Sequence, residues 1–140
     1  MSSFESRVET LWANPRHIPL SAPFVYCICV TDANGRQYRY AGRARNKSRL
    51  DEYKKNMLKI RDRRPRGKKQ KYRAVHFVLF EALENNWNIE FSPVEPCAAE
   101  ELNSVEKKIM TEFRCNLNGA KTWAIEKLST LKIADLVART

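Results

Sequence analysis

FVYCICVTDANGRQYRYAGRARNKSRLDEY, residues 24–53, is the stretch that decides the fold. Phe24 to Val30 is an apolar, aromatic and β-branched run long enough for one buried strand. Asp32-Ala33-Asn34-Gly35 is a turn signal, because Gly35 can take positive φ without steric cost. Gln37 to Ala41 reads as a second strand with tyrosines at alternate positions, Tyr38 and Tyr40, and Gly42 is expected to end it. From about Lys47 a helix begins. Arg49 and Tyr53, four residues apart, share one of its faces. A hairpin feeding a helix therefore gathers tyrosines and an arginine.

Outward from this stretch, residues 2–13 read as a helix capped by Ser3, with Phe4, Val8, Leu11 and Trp12 on one stripe. Pro15, Pro19 and Pro23 hold an extended connection. The helix after the hairpin runs to about Ile60. Val75, Val78, Leu79, Ala82 and Leu83 recur at helical spacing, which predicts a second helix over 72–84, ended by Asn85-Asn86. Ile89 and Phe91 mark a short third strand stopped by Pro93 and Pro96. Another helix is expected from about Ala98 to Phe113, with Leu102, Val105, Ile109 and Phe113 buried and Glu106 at the edge of that face. Asn116 to Gly119 is a turn, and a last helix is expected over 125–137. The fold class is α/β, a small three-stranded, mainly antiparallel sheet flanked by helices.

The 140 residues suffice for one domain with its own core. No apolar run approaches the length needed to span a bilayer. The N-terminus lacks a basic region followed by an apolar one, and the four cysteines then read as reduced thiols of a cytoplasmic protein. Zinc held by Cys27, Cys29, Cys97 and Cys115 would lack a C-x-x-C knuckle. His17 and His76 have no evident partners and read as structural.

Charge says more. The formal net charge is +10, which points to a polyanionic partner. Much of the excess is local: Arg61, Arg63, Arg64, Arg66, Lys68, Lys69, Lys71 and Arg73 face Asp62 alone. Pro65 and Gly67 break any helix there, so these cations are expected on an exposed loop, where they can meet phosphates. A solvated basic loop kept for solubility is the plain alternative.

The order of these pieces resembles the GIY-YIG nuclease family. Phe24-Val25-Tyr26 stands where that family has Gly-Ile-Tyr, and Tyr40-Ala41-Gly42 where it has Tyr-Ile-Gly. GRARNKSRLDEY, from Gly42, is similar to the segment after the second motif in the excision-repair incision subunit's nuclease domain, its arginine matching Arg49. HFVLFEALENNWNIEFSPVEPC looks like the family's helix and third strand. ELNSVEKKIMTEFRCNLN looks like its metal-binding helix and terminal asparagine. The likeness spans about residues 24–119, leaving 1–23 as an N-terminal extension and 120–140 as a C-terminal one. Departures are Phe24 for the first glycine, Ala41 in the second motif, a hairpin longer by a residue or two, and a Gly42-to-Arg49 spacing one residue shorter. The longer hairpin makes Tyr38 a rival to Tyr40, and Gly42 after Tyr40 favours the latter.

The resemblance implies a double-stranded DNA endonuclease that leaves 5′-phosphate and 3′-hydroxyl ends, similar to phage, mobile-element and restriction enzymes. It implies Glu106 as ligand to one Mg²⁺ or Mn²⁺ per site and Arg49 as the charge on the non-bridging oxygens. Tyr26 would be general base or water positioner, Tyr40 and Tyr53 would hold water and phosphate, and Asn118 (with Tyr38 as candidate) would orient its neighbours. The basic loop with Arg43, Arg45 and Lys47 would grip the backbone without reading sequence. One site makes one nick, so a double-strand break would need a homodimer on DNA or two binding events. Rival readings are a binding module of the same fold without catalysis, a regulator docking on an acidic protein, and RNA as the substrate.

Overall fold

The computed structural model describes residues 3–69, 71–119 and 121–137, without the side chains of Ser3, Lys69 and Ala134. The cap expected from Ser3 and the phosphate contact expected of Lys69 therefore lie outside the described residues. The hairpin forms as its sequence dictates. Strands β1 (Phe24–Thr31) and β2 (Gln37–Ala44) pair antiparallel with Ile28 opposite Tyr40 and Tyr26 opposite Gly42. Asp32 builds the turn: its Oδ1 accepts the Asn34 and Arg36 amides at 2.9 and 3.0 Å, and Gly35 takes φ 82°. Gly42 does not end β2, which runs two residues further.

The helix after the hairpin is α2 (Ser48–Arg61), burying Leu50, Tyr53, Met57 and Ile60 along one stripe. A short strand β3 (Lys71–Arg73) precedes α3 (Ala74–Asn85), which is apolar on nearly every side and correspondingly buried. Asn86 ends it in the left-handed conformation, φ 59°. Arg7, on the N-terminal helix α1 (Ser3–Glu9), closes the same end by donating from Nη1 to Ala82 O at 3.1 Å and from Nη2 to Trp87 O at 2.9 Å. Helix α1 is shorter than the expected 2–13, yet Leu11 is buried and Trp12 reaches Asp51.

Strand β4 (Asn88–Pro96) joins the other side of β1, giving an antiparallel sheet of order β2-β1-β4. Pro93 lies inside β4 instead of stopping it, and Pro96 is its last residue. An edge strand tolerates prolines because one side of its backbone has no ladder to complete. The register shifts between Val25 and Tyr26, which face Glu95 and Pro93, so Val94 is the extra residue of a bulge. Alternation then sorts the sheet's two faces. Phe24, Tyr26, Ile28, Val30, Tyr38 and Tyr40 meet α1, α2 and α3, while Val25 and Ala41 meet Leu102 and Ile109 of helix α4 (Leu102–Glu112).

Two expectations need correction. The basic segment is not one exposed loop, since Lys71–Arg73 is a strand paired antiparallel with β5 (Thr122–Ala124), Arg73 opposite Thr122. The helix expected over 125–137 is instead β5's continuation, a 3-10 turn at Ile125–Lys127 and the short helix α5 (Ile133–Leu136). Thr130 bonds its hydroxyl to Lys127 O at 3.1 Å, a local alternative to helical pairing. Leu128 and Leu136 still reach the main core. Among the described residues no helix is long and apolar enough to cross a membrane.

Candidate active site

Beside the β2 end of the sheet lies a cleft of about 690 Å³ lined by residues of β1, β2, α2, β3 and α4. Tyr26, Tyr40, Arg49, Glu106 and Asn118 all line it, with Arg43, Arg45 and Arg73. Tyr53 stands directly behind, its hydroxyl 2.8 Å from that of Tyr26. The residues expected on separate elements therefore converge.

Each is held for a local reason. The bulge in the β1–β4 pairing falls at Tyr26, and the phenol lies flat over Gly42, where any Cβ would overlap it. Tyr26 also stacks on Phe91 at 5.6 Å and meets Tyr53 edge-on at 5.8 Å. Burial and the neighbouring Tyr40 push the Tyr26 pKa well above the ordinary phenol value, and the Tyr53 hydrogen bond and Arg49 only partly oppose this. Arg49 thus acts in the expected direction and is outweighed, so Tyr26 is held as a neutral phenol. Burial raises Tyr53 as well. Arg49 is held by Glu52, 3.2 Å away and three residues on.

Glu106 reaches the cleft from the far side of the sheet, with Leu102 and Asn103 one turn earlier on α4. No hydrogen bond or ion pair among the described residues engages its carboxylate within contact distance. Burial raises its pKa, and the more distant charges of Arg43, Arg73 and Arg49 pull it back. Among the described residues no group of three or more His, Cys, Asp or Glu forms a metal cage. A hard divalent cation here would depend on Glu106, water and substrate oxygens, a donor set that suits Mg²⁺ or Mn²⁺. The same survey finds no zinc cluster among the cysteines; burial and Cys115 push the Cys27 thiol up to about 12.

Asn118 is a strand substitute. Its Nδ2 donates to Ala41 O at 2.7 Å and its Oδ1 accepts the Ala41 amide at 3.1 Å, so one carboxamide does the work of a paired residue on the open edge of β2. Asn116 does the same for Arg39 and Gln37.

Tyr38 does not belong to the site. It shares a face with Tyr40 but lies one alternation nearer the turn, and its hydroxyl donates to Asp32 Oδ2 at 3.0 Å. The cations also divide. Arg61 is paired with Glu5 at 2.8 Å and with Asp62 at 3.0 Å. Arg63 lies over the Phe80 ring, Lys47 is 4.0 Å from Asp51, and none of the three lines the cleft. Arg64, Lys68 and Lys71 are exposed. Arg66 is half-buried and does not line the cleft; burial, then the charges of Arg73 and Arg49, lower its pKa.

Sequence reading missed Glu52, Asn103 and the support behind the tyrosines. Asn103 was findable as the residue three before Glu106 on the same helical face. His76 proves to be the support: it is buried, stacks on Tyr53 at 5.1 Å, and accepts the Arg73 amide on Nδ1 at 3.2 Å. Its Nε2 must then carry the hydrogen, which requires the Asn56 carboxamide, 3.3 Å away, to turn its oxygen toward the ring. Burial, then Arg66, Arg73 and Arg49, hold the His76 pKa well below its ordinary value. The unfolded chain therefore takes up a proton that the folded one refuses. Stability is expected to be flat above about pH 6.5 and to fall below it, at up to about 1.4 kcal/mol per pH unit. Urea titrations between about pH 5 and 7.5 should show this slope flattening in His76→Gln, and equal slopes would exclude His76 as its source.

Comparison with protein-family models, with curated proteins and with solved structures returned no match.

Proposed function

We propose that this protein is a metal-dependent DNA endonuclease of the GIY-YIG type, hydrolysing phosphodiester bonds to 5′-phosphate and 3′-hydroxyl ends. The observation that carries the reading is the convergence of Tyr26, Tyr40, Arg49, Glu106 and Asn118 in one cationic cleft. In its lining Arg43, Arg45, Arg49 and Arg73 outnumber Glu52 and Glu106, an excess of positive charge that a bound phosphate chain would offset. Phe24, which replaces the motif's first glycine, is fully buried in the core and leaves the cleft open.

In this reading the scissile phosphate lies between Arg49 and Glu106. The Arg49 guanidinium, permanently charged, neutralises the non-bridging oxygens as the pentavalent state forms. The Tyr26 hydroxyl, with Tyr53 at its back, orients the attacking water; its raised pKa supports this role over that of proton acceptor. Held at Glu106, Mg²⁺ or Mn²⁺ supplies Lewis-acid stabilisation of the phosphoryl and leaving oxygens. Asn118 fixes Ala41, and so the β2 backbone between Tyr40 and Gly42. Arg43 and Arg45 hold the flanking backbone. Two copies acting on opposite strands account for a double-strand break.

The test is supercoiled plasmid incubated with and without Mg²⁺, beside gel shifts of a short duplex and of RNA over a salt series. Nicking that needs the metal, with salt-sensitive duplex binding, is the expected result. Binding without cutting in any divalent metal would instead assign a binding module.

A further inference from the structure

The residue the sequence places least well is Arg73. It ends the basic run, where it reads as one more backbone-gripping cation, yet it lines the cleft and its Nη1 donates to the Tyr40 hydroxyl at 2.7 Å. We propose that Arg73 is a positioning residue for hydrolysis: it occupies the acceptor side of the Tyr40 oxygen and so turns the Tyr40 O–H toward the substrate phosphate. The inference rests on the nuclease reading of the cleft.

The chemistry follows from what each group can do. A guanidinium is a donor only, so in this bond the phenol oxygen must accept. No other hydrogen bond among the described residues takes the Tyr40 proton, and Tyr40 is nearly buried and lines the cleft. Its O–H therefore has the cleft's occupant as a partner. A charge-assisted bond into the phenol oxygen polarises it and makes the remaining O–H a stronger donor. Tyr40 is thereby committed to stabilising negative charge opposite Arg49, and Arg73 acts through it.

The backbone of Arg73 is fixed as well. Its backbone pairs with Thr122, its amide donates to His76 Nδ1, and Tyr72 beside it is buried with its hydroxyl on Arg64 O at 2.8 Å. Trp123, opposite Tyr72, packs edge-on to Phe77 at 6.2 Å. The C-terminal extension thus contributes to the site through the β3–β5 ribbon. Exposed Arg64 serves as the contrast.

The experiment compares Arg73→Ala, Arg73→Lys, Tyr40→Phe and the Arg73→Ala/Tyr40→Phe pair with Arg64→Ala. It measures turnover at saturating duplex in Mg²⁺, duplex affinity in EDTA, and melting temperature. Arg73→Ala and Tyr40→Phe should each lower turnover by about 100-fold, the usual cost of losing one preorganised donor. The double variant should be no worse than either single one, because both remove the same contact. Arg73→Lys should recover part of the loss, and affinity should change little. Arg64→Ala should act on affinity, weakening binding and reducing the salt slope by about 1. Losses that multiply in the double variant, or an Arg73→Ala that behaves as Arg64→Ala does, would overturn the proposal. Loss of turnover matched by a collapsed melting temperature in both Arg73 variants would make Arg73 structural and also overturn it. A wild-type chain that cuts nothing would instead remove the nuclease reading, and this inference with it.

Discussion

Gly42→Ala should cost both the fold and the activity. A methyl group at this position would overlap the Cζ and hydroxyl oxygen of Tyr26 and stand 2.8 Å from its Cε2. Tyr26 cannot yield, because Phe91 stacks on one side, Tyr53 closes another, and the ring is fully buried. Backbone movement is resisted by the β1–β2 ladder and by the asparagine bonds to the neighbouring Ala41. Overpacking of this kind costs about 1–3 kcal/mol. Displacing the phenol also breaks the Tyr26–Tyr53 hydrogen bond and misplaces the hydroxyl proposed to orient water, so in the nuclease reading turnover should fall by about 100-fold or more. The cause is checkable in a second background. With Tyr26→Ala already present the added methyl has nothing to strike, and Gly42→Ala should then change stability by less than about 0.5 kcal/mol. An equal penalty in both backgrounds, read from denaturant midpoints, would place the strain elsewhere.

Glu106→Gln should have the larger effect on chemistry and almost none on folding. The side chain keeps its shape and loses only its charge, and the helix that carries it buries Leu102 and Ile109 on the neighbouring face. Metal-dependent cutting should fall by about three orders of magnitude or more, corresponding to the several kcal/mol a bound divalent ion contributes to phosphoryl transfer. Duplex affinity in EDTA should rise a few-fold, because removing about 1 kcal/mol of repulsion between carboxylate and phosphate favours the complex. Opposite signs for cutting and binding distinguish a metal ligand from a residue that merely shapes the cleft. Cutting at the wild-type rate would sink the assignment of Glu106.

Most of what positions the cleft was legible in residues 24–53, because a hairpin and its following helix are set by contacts close in sequence. Tyr26, Tyr40, Arg49 and Tyr53 all come from that stretch, whereas Glu106 and Asn118 were singled out by the resemblance to the nuclease family, helical spacing alone having put Glu106 only at the edge of its face. What was not legible is non-local. β3 and β5 are three residues each, too short to announce themselves, and they pair across about fifty residues of chain. With them went the placement of Arg73 and the break-up of the expected final helix, whose leucines at 128 and 136 keep a buried pattern over a path that is mostly not helical. Pro93 misled because an edge strand can carry a proline inside it, where it was read as a stop. Tyr38 and Tyr40 share one alternation and one face, so Gly42 was the one sequence sign that favoured Tyr40, and the bonds of Tyr38 to Asp32 and of Arg73 to Tyr40 now separate them. The partners of His76 come from α2, β3 and the ring of Tyr53, none adjacent to it in a way that a sequence pattern displays.

The edges of the three-stranded sheet bear on how two copies could meet. On β2, Arg39 O accepts the amides of Asn116 and Leu117 at 3.0 Å each, and Ala41 is engaged by Asn118. On β4, Phe91 O accepts the Ala13 amide at 3.0 Å and Val94 O accepts Arg16 Nη1 at 2.9 Å, while Pro93 and Pro96 have no amide hydrogen to offer. Each margin is thus engaged in part by other segments of the chain. A second molecule adding a strand to β2 would have to displace Asn116 and Asn118, and with Asn118 the bonds that fix Ala41 beside Tyr40, so joining strands there would disturb the cleft it brought along. A pair that cuts both strands of a duplex is better served by association through helices or through the nucleic acid itself, and the same cover makes these edges poorer templates for strand-by-strand aggregation.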